Sequence, residues 1–243
     1  MLLLPTTTVG PTQTLESDGL VQVQHLSKEV VHQMKYPIAE RFKAPQGEGL
    51  YTGVPMAFIR LVGCSVGQGV CTACDTNFEK MYPELGGGLY TTEELLAWAG
   101  NYIHVCLTGG EPLDRNLLDL VNTLHGANIQ VHIETSGTLS PLWLNHMPDR
   151  PWLCVSPKPG YLRDMIEMAD EIKVILGGLG DGPGWPTVDN ALTWAAEGRL
   201  VYIQPRNSVL TIDKAAMDEA ITVVSKHPSL RLSAQLHKYL RTR

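Results

Sequence analysis

The stretch MAFIRLVGCSVGQGVCTACDT (residues 56–76) joins a run of apolar residues to three of the chain's five cysteines. Its first eight residues predict a buried strand, because they are almost continuously apolar. Cys64, Cys71 and Cys74 follow in the loop after that strand. Three clustered thiols are one ligand short of the four that close a structural zinc site. The loop therefore raises the question of what the thiols bind.

Strands and helices alternate along the rest of the chain. Further strands are predicted at residues 103–107, 129–134, 152–156, 171–176 and 200–204, and helices at 91–102, 114–128, 187–198 and 213–227. Such alternation indicates a parallel sheet with helices outside it. About six strands are too few for a closed eight-stranded barrel. We therefore predict an α/β fold, an incomplete TIM-type barrel of about six parallel strands with outer helices; an open doubly wound sheet is the alternative.

The composition indicates one enzyme domain with an extension. The chain has 243 residues, of which 44% are hydrophobic, enough to fill one core. Residues 1–33 are polar and weakly periodic, so we expect a partly mobile extension followed by a barrel domain over residues 34–243. The net charge of -6 argues against nucleic-acid binding. No run approaches the roughly 20 apolar residues of a membrane helix, and clustered cysteines do not indicate disulfides, so we expect a cytoplasmic protein.

The spacing of the three clustered thiols leaves three explanations open. A four-iron cluster held by three thiolates leaves one iron open to a substrate or cofactor, which suits a catalytic site. A zinc ion would need a fourth ligand; His104 and His132 are candidates, although a buried core histidine is the simpler interpretation within an apolar strand. Cysteines without a ligand are the third explanation. Cys106 and Cys154 lie alone in apolar strands and are interpreted as small core residues.

Polar motifs follow several of the predicted strands at the point where each strand ends. They are TGGEP (108–112), TSG (135–137), SPK (156–158) and QPRN (204–207), in addition to the cysteine loop. Active sites of barrels are built at the carboxyl ends of their strands. A shared location on one face makes a single site the better interpretation than five unrelated turns.

The cysteine loop and the GGEP motif together resemble the radical S-adenosylmethionine (SAM) superfamily, although six residues, not three, separate Cys64 from Cys71. The chain is more closely similar to the 7-carboxy-7-deazaguanine synthase family. That similarity lies in PQGEGLYTGVPMAFIRLVGC followed by CDT, and then in ETSGT, SPKPG, EIKVI, YIQP and SAQLHKYL. It extends from about Tyr36 to Leu240 and leaves out only the first 33 residues.

The resemblance implies a specific reaction. Family members convert 6-carboxy-5,6,7,8-tetrahydropterin to 7-carboxy-7-deazaguanine by a radical ring contraction that releases ammonia, as lyases of queuosine-type 7-deazapurine biosynthesis. A 4Fe–4S cluster chelates SAM and supplies the electron that generates a 5′-deoxyadenosyl radical, and Mg²⁺ supports the rearrangement. The resemblance also implies a radical SAM fold, a homodimer and an external reductant such as flavodoxin.

The resemblance further assigns the cofactor ligands. Cys64, Cys71 and Cys74 would hold the cluster, and the hydroxyl of Thr76 would meet Mg²⁺, which prefers oxygen ligands. The glycine pair of GGEP would let the backbone approach the methionine amino group. The residues implied for SAM are Gly110, Ser136, Ser156, Lys158, Gln204, Pro205, Arg206 and Asn207.

A pterin pocket is implied in the same way. Glu48 would accept hydrogen bonds from the guanidine-like N–H edge of the pterin, and the planar fork of Arg60 would pair with the substrate carboxylate. Because an unpaired charge inside a buried strand would be costly, Arg60 must meet an anion, either Glu48 or the substrate. The full set implied for the substrate is Pro45, Gln46, Gly47, Glu48, Arg60 and Thr108.

Two other functions remain compatible with parts of the sequence. A radical SAM activase that installs a glycyl radical would share the cysteines and GGEP, but QGEG, Arg60 and CDT favour a small pterin. A non-catalytic zinc or iron–sulfur binding module would need no polar motifs at five strand ends. His237 and Lys238 either close the site or belong to a solvated basic tail.

Overall fold

The computed structural model describes residues 34–67, 69–71, 74, 76, 78–177, 182–207 and 211–240. The predicted extension, residues 1–33, lies outside the described residues. The strands are β1 (Tyr36–Pro45), β2 (Pro55–Leu61), β3 (Gly88–Tyr90), β4 (His104–Gly109), β5 (Gln130–Thr135), β6 (Trp152–Val155), β7 (Glu171–Leu176), β8 (Val201–Pro205) and β9 (Arg231–Leu232). The helices are α1 (Thr92–Ala99), α2 (Leu118–Gly126), α3 (Leu142–Asn145), α4 (Arg163–Met168), α5 (Val188–Ala196), α6 (Lys214–Lys226) and α7 (Leu236–Leu240).

These strands form one open sheet in the order β3-β1-β2-β4-β5-β6-β7-β8-β9. The six strands from β2 to β8 within that order are parallel neighbours, and the two-residue β9 continues them. β1 and β3 extend the other edge in antiparallel pairs. Because the sheet ends in two separate edges, it is an incomplete barrel, which confirms the predicted fold class.

Local sequence signals account for the predicted helices. Thr91 caps α1 and forms a capping box with Glu94, because each residue's side chain bonds the other's backbone N–H. Leu117, Val121 and Leu124, which share a face, are all fully buried at α2. No strand was predicted at Tyr36–Pro45, because polar residues and two prolines interrupt the apolar pattern of this segment.

The main core lies between the sheet and its outer helices. It contains alternate residues of neighbouring strands, such as Val105 and Leu107 of β4 with Val131 and Ile133 of β5. Each fully buried side chain of this kind contributes about 1.5–3 kcal/mol to folding. The residues between them face the inside of the barrel, so this core fixes where the interior side chains lie. Within the described residues, no helix is long and apolar enough to cross a membrane.

An aromatic cluster fills the barrel at the amino ends of the strands. His104 Nδ1 lies 3.0 Å from His132 Nε2, and the ring of Tyr51 packs against His132 and Trp152 with centroids 4.5 and 5.1 Å away. Burial, together with the charge of His104, lowers the pKa of His132 to about 4, so His132 is neutral at neutral pH. The contacts agree with the interpretation of both histidines as core residues.

Candidate functional site

The cysteine loop leaves the carboxyl end of β2 and is tied back to the sheet. Gly63 N donates to Phe78 O at 2.9 Å, and Cys74 N donates to Cys71 O at 3.0 Å in a tight turn. Burial raises the pKa of the Cys71 thiol, and negative charge on Cys74 or Cys64 adds to the effect while Lys158 opposes it. Cys71 therefore lies within electrostatic reach of Lys158 and of both other thiols of the loop.

The GGEP turn supports this loop from the end of β4. A Cβ on Gly110 would overlap the carbonyl oxygen of Gly63 and the Cβ of Cys64, so only glycine fits there. Glu111 N donates to Gly63 O at 3.1 Å. The buried Glu111 carboxylate accepts from Thr135 Oγ1 at 2.7 Å and Ser136 N at 2.8 Å. Glu111 thus connects the cysteine loop to the turn after β5.

The donor set of three thiols fits a four-iron cluster, in which each thiolate binds one iron. Among the described residues, no three His, Cys, Asp or Glu side chains converge on one metal position. Backbone hydrogen bonds from Gly67 and Val66 stabilise a thiolate at Cys64 against the effect of burial, which raises its pKa. Cys64, Cys71 and Cys74 are free thiols, as cluster ligation requires.

Three of the residues predicted for SAM are brought together beside this loop. Lys158 Nζ donates to Ser156 O and Oγ, both at 2.8 Å, and Lys158 N donates to Ser136 O at 3.2 Å. Burial lowers the pKa of Lys158, although negative charge at Cys71 opposes this effect. The Ser136 hydroxyl is bonded to Glu111 and to Thr138 Oγ1, which holds the turn in place.

The QGEG residues lie in the loop between β1 and β2, at the amino end of β2. Pro45 pairs with Pro55, and Gln46 closes the loop by exchanging backbone hydrogen bonds with Gly53 and Val54. Gln46 Oε1 accepts from the next two backbone N–H groups at 2.8 and 3.2 Å. This loop therefore reaches the barrel interior from the end opposite to the cysteine loop.

Glu48 makes a buried ion pair with Lys173 of β7. Its Oε2 lies 2.5 Å from Lys173 Nζ, and its Oε1 accepts from Gln235 Nε2 at 2.8 Å and Gln204 Nε2 at 3.2 Å. Burial alone would raise the pKa of Glu48, but the charge of Lys173 and hydrogen bonds from Lys173 and Gln235 lower it to about 2. Glu48 is therefore held ionised inside the barrel.

Lys173 is surrounded by carboxylates. Burial disfavours the charged ammonium, yet its pKa lies well above its usual value because Cys154, Glu134, Glu48 and Glu171 surround it. Glu134 Oε1 lies 3.5 Å from Lys173 Nζ and also accepts from Gln46 Nε2 at 3.0 Å. Burial raises the pKa of Glu171, whose Oε2 accepts from Leu50 N at 2.8 Å.

Arg60 has a protein partner other than the one considered from the sequence. Its Nε donates to Glu40 Oε1 at 2.8 Å, and its Nη1 donates to Thr76 Oγ1 at 3.2 Å. The expectation that Glu48 would be the protein anion was wrong, because β1 and β2 are antiparallel and place Glu40 directly opposite Arg60. Thr108 is the partner of Arg60 on the other side, in β4.

The QPRN residues extend from the interior to the carboxyl end of β8. Gln204 contacts Glu48, the residue predicted for the pterin, and its Oε1 accepts from Ser233 Oγ at 2.8 Å. Pro205 ends the strand opposite Leu176, whose O accepts from Arg206 N at 2.8 Å. Asn207 Nδ2 donates to Gln235 Oε1 at 2.8 Å. Gln204 therefore lies next to a residue predicted for the pterin, and the SAM role predicted for it stays a prediction.

The carboxyl-terminal segment packs against the QGEG loop. Leu236 N donates to Gly47 O at 2.7 Å, and a Cβ on Gly47 would overlap the ring of His237. His237 is close enough for its charge to lower the pKa of Glu48. Of the two alternatives for His237, these contacts favour closure of the site over a solvated tail.

Sequence reasoning gave no role to several interior residues, namely Glu111, Glu134, Glu171, Lys173 and Gln235. A signal was present in EIKVIL, because strands of parallel sheets are normally near-continuous apolar runs. A lysine inside such a run indicates a polar interior with negative partners. The partners themselves come from other strands and loops, so pairing could not be inferred from β7 alone.

Comparison with known proteins identifies the family. No protein-family model matches the chain. The 7-carboxy-7-deazaguanine synthase of Escherichia coli (strain K12) is 35% identical over 233 residues, which cover 85% of this chain and 99% of that protein. The synthases of Bacteroides thetaiotaomicron and Synechocystis sp. are each 34% identical, over 85% and 86% of this chain and 98% and 95% of their own lengths.

A solved structure agrees with these relatives. The crystal structure of QueE from Escherichia coli matches with a TM-score of 0.63 and 32% identity, over 84% of this chain and 95% of that one. The similarity therefore covers nearly the whole length of each relative. The chain belongs to the 7-carboxy-7-deazaguanine synthase family of radical SAM enzymes.

Proposed function

We propose that this protein converts 6-carboxy-5,6,7,8-tetrahydropterin to 7-carboxy-7-deazaguanine. The observation that carries the proposal is family membership over nearly the full length of the relatives. The arrangement of the site supports it, because the cysteine loop and the QGEG loop approach one barrel interior from opposite ends. When bound to Cys64, Cys71 and Cys74, the cluster with SAM supplies the radical that removes a hydrogen atom from the substrate.

The chain's own residues would bind and orient the two small molecules. Gly110, Ser136, Ser156 and Lys158 lie beside the cysteine loop and would contact SAM, with Pro205, Arg206 and Asn207 at the end of β8 bordering its adenosyl group. The QGEG loop, Arg60 and Thr108 would hold the pterin inside the barrel, on the side of SAM that faces the amino ends of the strands. Anaerobic incubation with SAM, Mg²⁺, dithionite or reduced flavodoxin, and carboxytetrahydropterin tests the proposal. Mass spectrometry should find 7-carboxy-7-deazaguanine; its absence from cluster-loaded enzyme would refute the function.

Arg60 is proposed to bind the substrate carboxylate. Glu40 holds its Nε and Thr76 its Nη1, which fixes the guanidinium plane and leaves further N–H groups for an anion. We expect Arg60→Lys to keep the charge but lose the fork, with a cost of about 1.5–3 kcal/mol. That cost corresponds to a roughly tenfold to hundredfold loss of kcat/KM for the carboxylated pterin.

The control for this variant is SAM cleavage without substrate. Cleavage under strong reductant should persist in Arg60→Lys, and affinity for an analogue that lacks the carboxylate should change little. If Arg60→Lys binds the carboxylated pterin and the analogue without a carboxylate as tightly as the wild type does, Arg60 serves the fold only.

Thr76 is proposed as a Mg²⁺ ligand. Its hydroxyl oxygen accepts from Arg60 Nη1 at 3.2 Å, beside the proposed carboxylate site, and an oxygen ligand is the kind that Mg²⁺ prefers. We expect Thr76→Ala to weaken the Mg²⁺ dependence of turnover while the visible spectrum of the cluster stays unchanged. Thr76→Ser keeps the hydroxyl and should retain more activity. An alanine variant with a wild-type Mg²⁺ titration would contradict the assignment of Thr76 as a ligand.

The assembly and its surroundings complete the proposal. We propose a homodimer, as the family resemblance implies, reduced by an external donor such as flavodoxin. Cluster ligation requires reduced thiols, which favours the cytoplasm over oxidising compartments. Light scattering of the purified chain measures the dimer directly.

A further inference from the structure

The row of side chains that contains Arg60 and Thr108 continues to Glu134. Arg60 of β2 is the register partner of Thr108 of β4, and Leu107 is the partner of Ile133, which places Thr108 level with Glu134. Ile133 faces the helices within the main core, so Glu134 faces the interior, where it contacts Gln46 and Lys173. Glu134 is therefore the next interior side chain beside the two predicted substrate residues.

Glu48, the acceptor expected from the sequence, has its carboxylate already occupied. Oε2 accepts from Lys173 Nζ, and Oε1 accepts from the side-chain amides of Gln235 and Gln204. A carboxylate offers about four lone-pair sites, and three of them are used by protein donors. Glu48 thus has little capacity left for two parallel donors of a ligand.

Glu134 has the capacity that Glu48 lacks. Only its Oε1 accepts hydrogen bonds from the residues that the structure describes, namely from Gln46 and at longer range from Lys173. The Glu134 side chain is 25% exposed, whereas the Lys173 side chain beside it is 4% exposed. One carboxylate oxygen therefore remains open on the accessible side of the buried cluster.

The spacing of the row suits a carboxylated pterin. β2 and β5 are separated by one strand, so Arg60 and Glu134 originate about 10 Å apart across the sheet, twice the strand spacing. A pterin carries its carboxylate at one end of the bicyclic ring and its N3–H and 2-amino donors at the other. Arg60 and Glu134 offer the complementary groups in the same order, a cationic fork and a carboxylate.

We propose that Glu134 binds the substrate by accepting hydrogen bonds from the 2-amino and N3–H edge of the pterin. In this arrangement Lys173 and Gln46 are positioning residues that hold Glu134 Oε1, and Glu48 is the counter-ion that keeps Lys173 charged. The inference rests on the proposed function, since it names the acceptor within the same pocket.

The test measures binding rather than turnover. The fluorescent 6-carboxypterin is titrated into the cluster-loaded, SAM-bound chain, and a 2-desamino analogue is titrated in parallel. Glu134→Gln keeps an acceptor for Gln46 but presents an amide to the pterin, and Kd for 6-carboxypterin should rise about tenfold to hundredfold. Kd for SAM should not change, and the penalty should shrink for the 2-desamino analogue. Glu167→Gln, on the exposed face of α4, is the matched control.

Each outcome decides the inference. If Glu134→Gln binds 6-carboxypterin with a Kd within twofold of the wild-type value, the role of Glu134 is overturned. The proposed function is unaffected by that result as long as the wild-type chain converts the substrate. A wild-type chain that neither binds nor converts the pterin would overturn both. If Glu134→Gln does not fold, Glu134→Asp keeps the charge but withdraws the oxygens: the same selective loss supports the role, and wild-type affinity refutes it.

Discussion

Replacing Gly110 with alanine should lower SAM cleavage by about a hundredfold or more and prevent stable cluster binding. The added methyl group would overlap the Gly63 carbonyl oxygen and the Cβ of Cys64, and it would lie 2.8 Å from the Gly63 carbonyl carbon. Backbone cannot move aside as a flexible side chain can, so the loop that carries Cys64 must shift. A displaced Cys64 thiol would no longer be positioned to bind the same cluster as the thiols of Cys71 and Cys74. Iron content and the visible spectrum after anaerobic reconstitution measure the loss.

Gly126 provides the matched control for this substitution. It is the last residue of α2, and a Cβ there would meet nothing within 4 Å. Gly126→Ala should load the cluster normally and gain about 0.5–1 kcal/mol in stability, because alanine favours the helix. If Gly110→Ala binds iron and cleaves SAM as the wild type does, the cysteine loop does not depend on close contact with the GGEP turn.

Replacing Lys173 with methionine should lower the free energy of unfolding by about 3–5 kcal/mol, because it leaves buried carboxylates without their cation. Glu48 is the most affected, since Lys173 lies 2.5 Å from it, and Glu134 loses a partner at 3.5 Å. The QGEG loop is held by these contacts, so pterin binding should be lost as well. Chemical denaturation of the purified variant and wild type measures the difference.

The pH dependence of that difference has a definite sign. In the wild type the pKa of Glu48 is lowered to about 2, so ionised Glu48 stabilises the fold above its unfolded value of 4.5, and this contribution is lost as pH falls toward 2. Without Lys173, burial raises the pKa of Glu48, so the variant's folded state is favoured by protonation. The gap between the two proteins should therefore narrow from neutral pH to about pH 5.

A second substitution separates charge from packing. Lys173→Met combined with Glu48→Gln removes the uncompensated charge and should recover part of the lost stability at neutral pH. Equal stabilities of the single and double variants at every pH would contradict the ion-pair explanation. The loss would then come from side-chain packing inside the barrel alone.

The fold was largely predictable because its signals are local. The apolar runs around Val105, Val131 and Val174 are short and alternate with helical segments, which indicates parallel strands in sequence order. The antiparallel strand β1 was not predictable in the same way. Tyr36–Pro45 forms a strand because β2 and β3 pair with it on both sides, and such pairing is a long-range property.

The sequence indicated which residues belong to the candidate site better than it indicated which residues they contact. Cys64, Arg60 and Lys158 could be selected because the family motifs contain them. Their partners could not, because an ion pair such as Arg60 with Glu40 depends on antiparallel register. The assignment of Glu48 to one pterin edge likewise could not include Lys173, which is 125 residues away in the chain.

The contact between Leu236 and Gly47 makes the two ends of the barrel domain interdependent. The QGEG loop lies between β1 and β2 and α7 follows β9, so the pocket is complete only when both segments have been made and have met. A chain cut before Ser233 would retain β1 to β9 yet lose Gln235 and the Leu236 bond to Gly47. Removal of α7 should therefore loosen the QGEG loop although every strand of the sheet is retained.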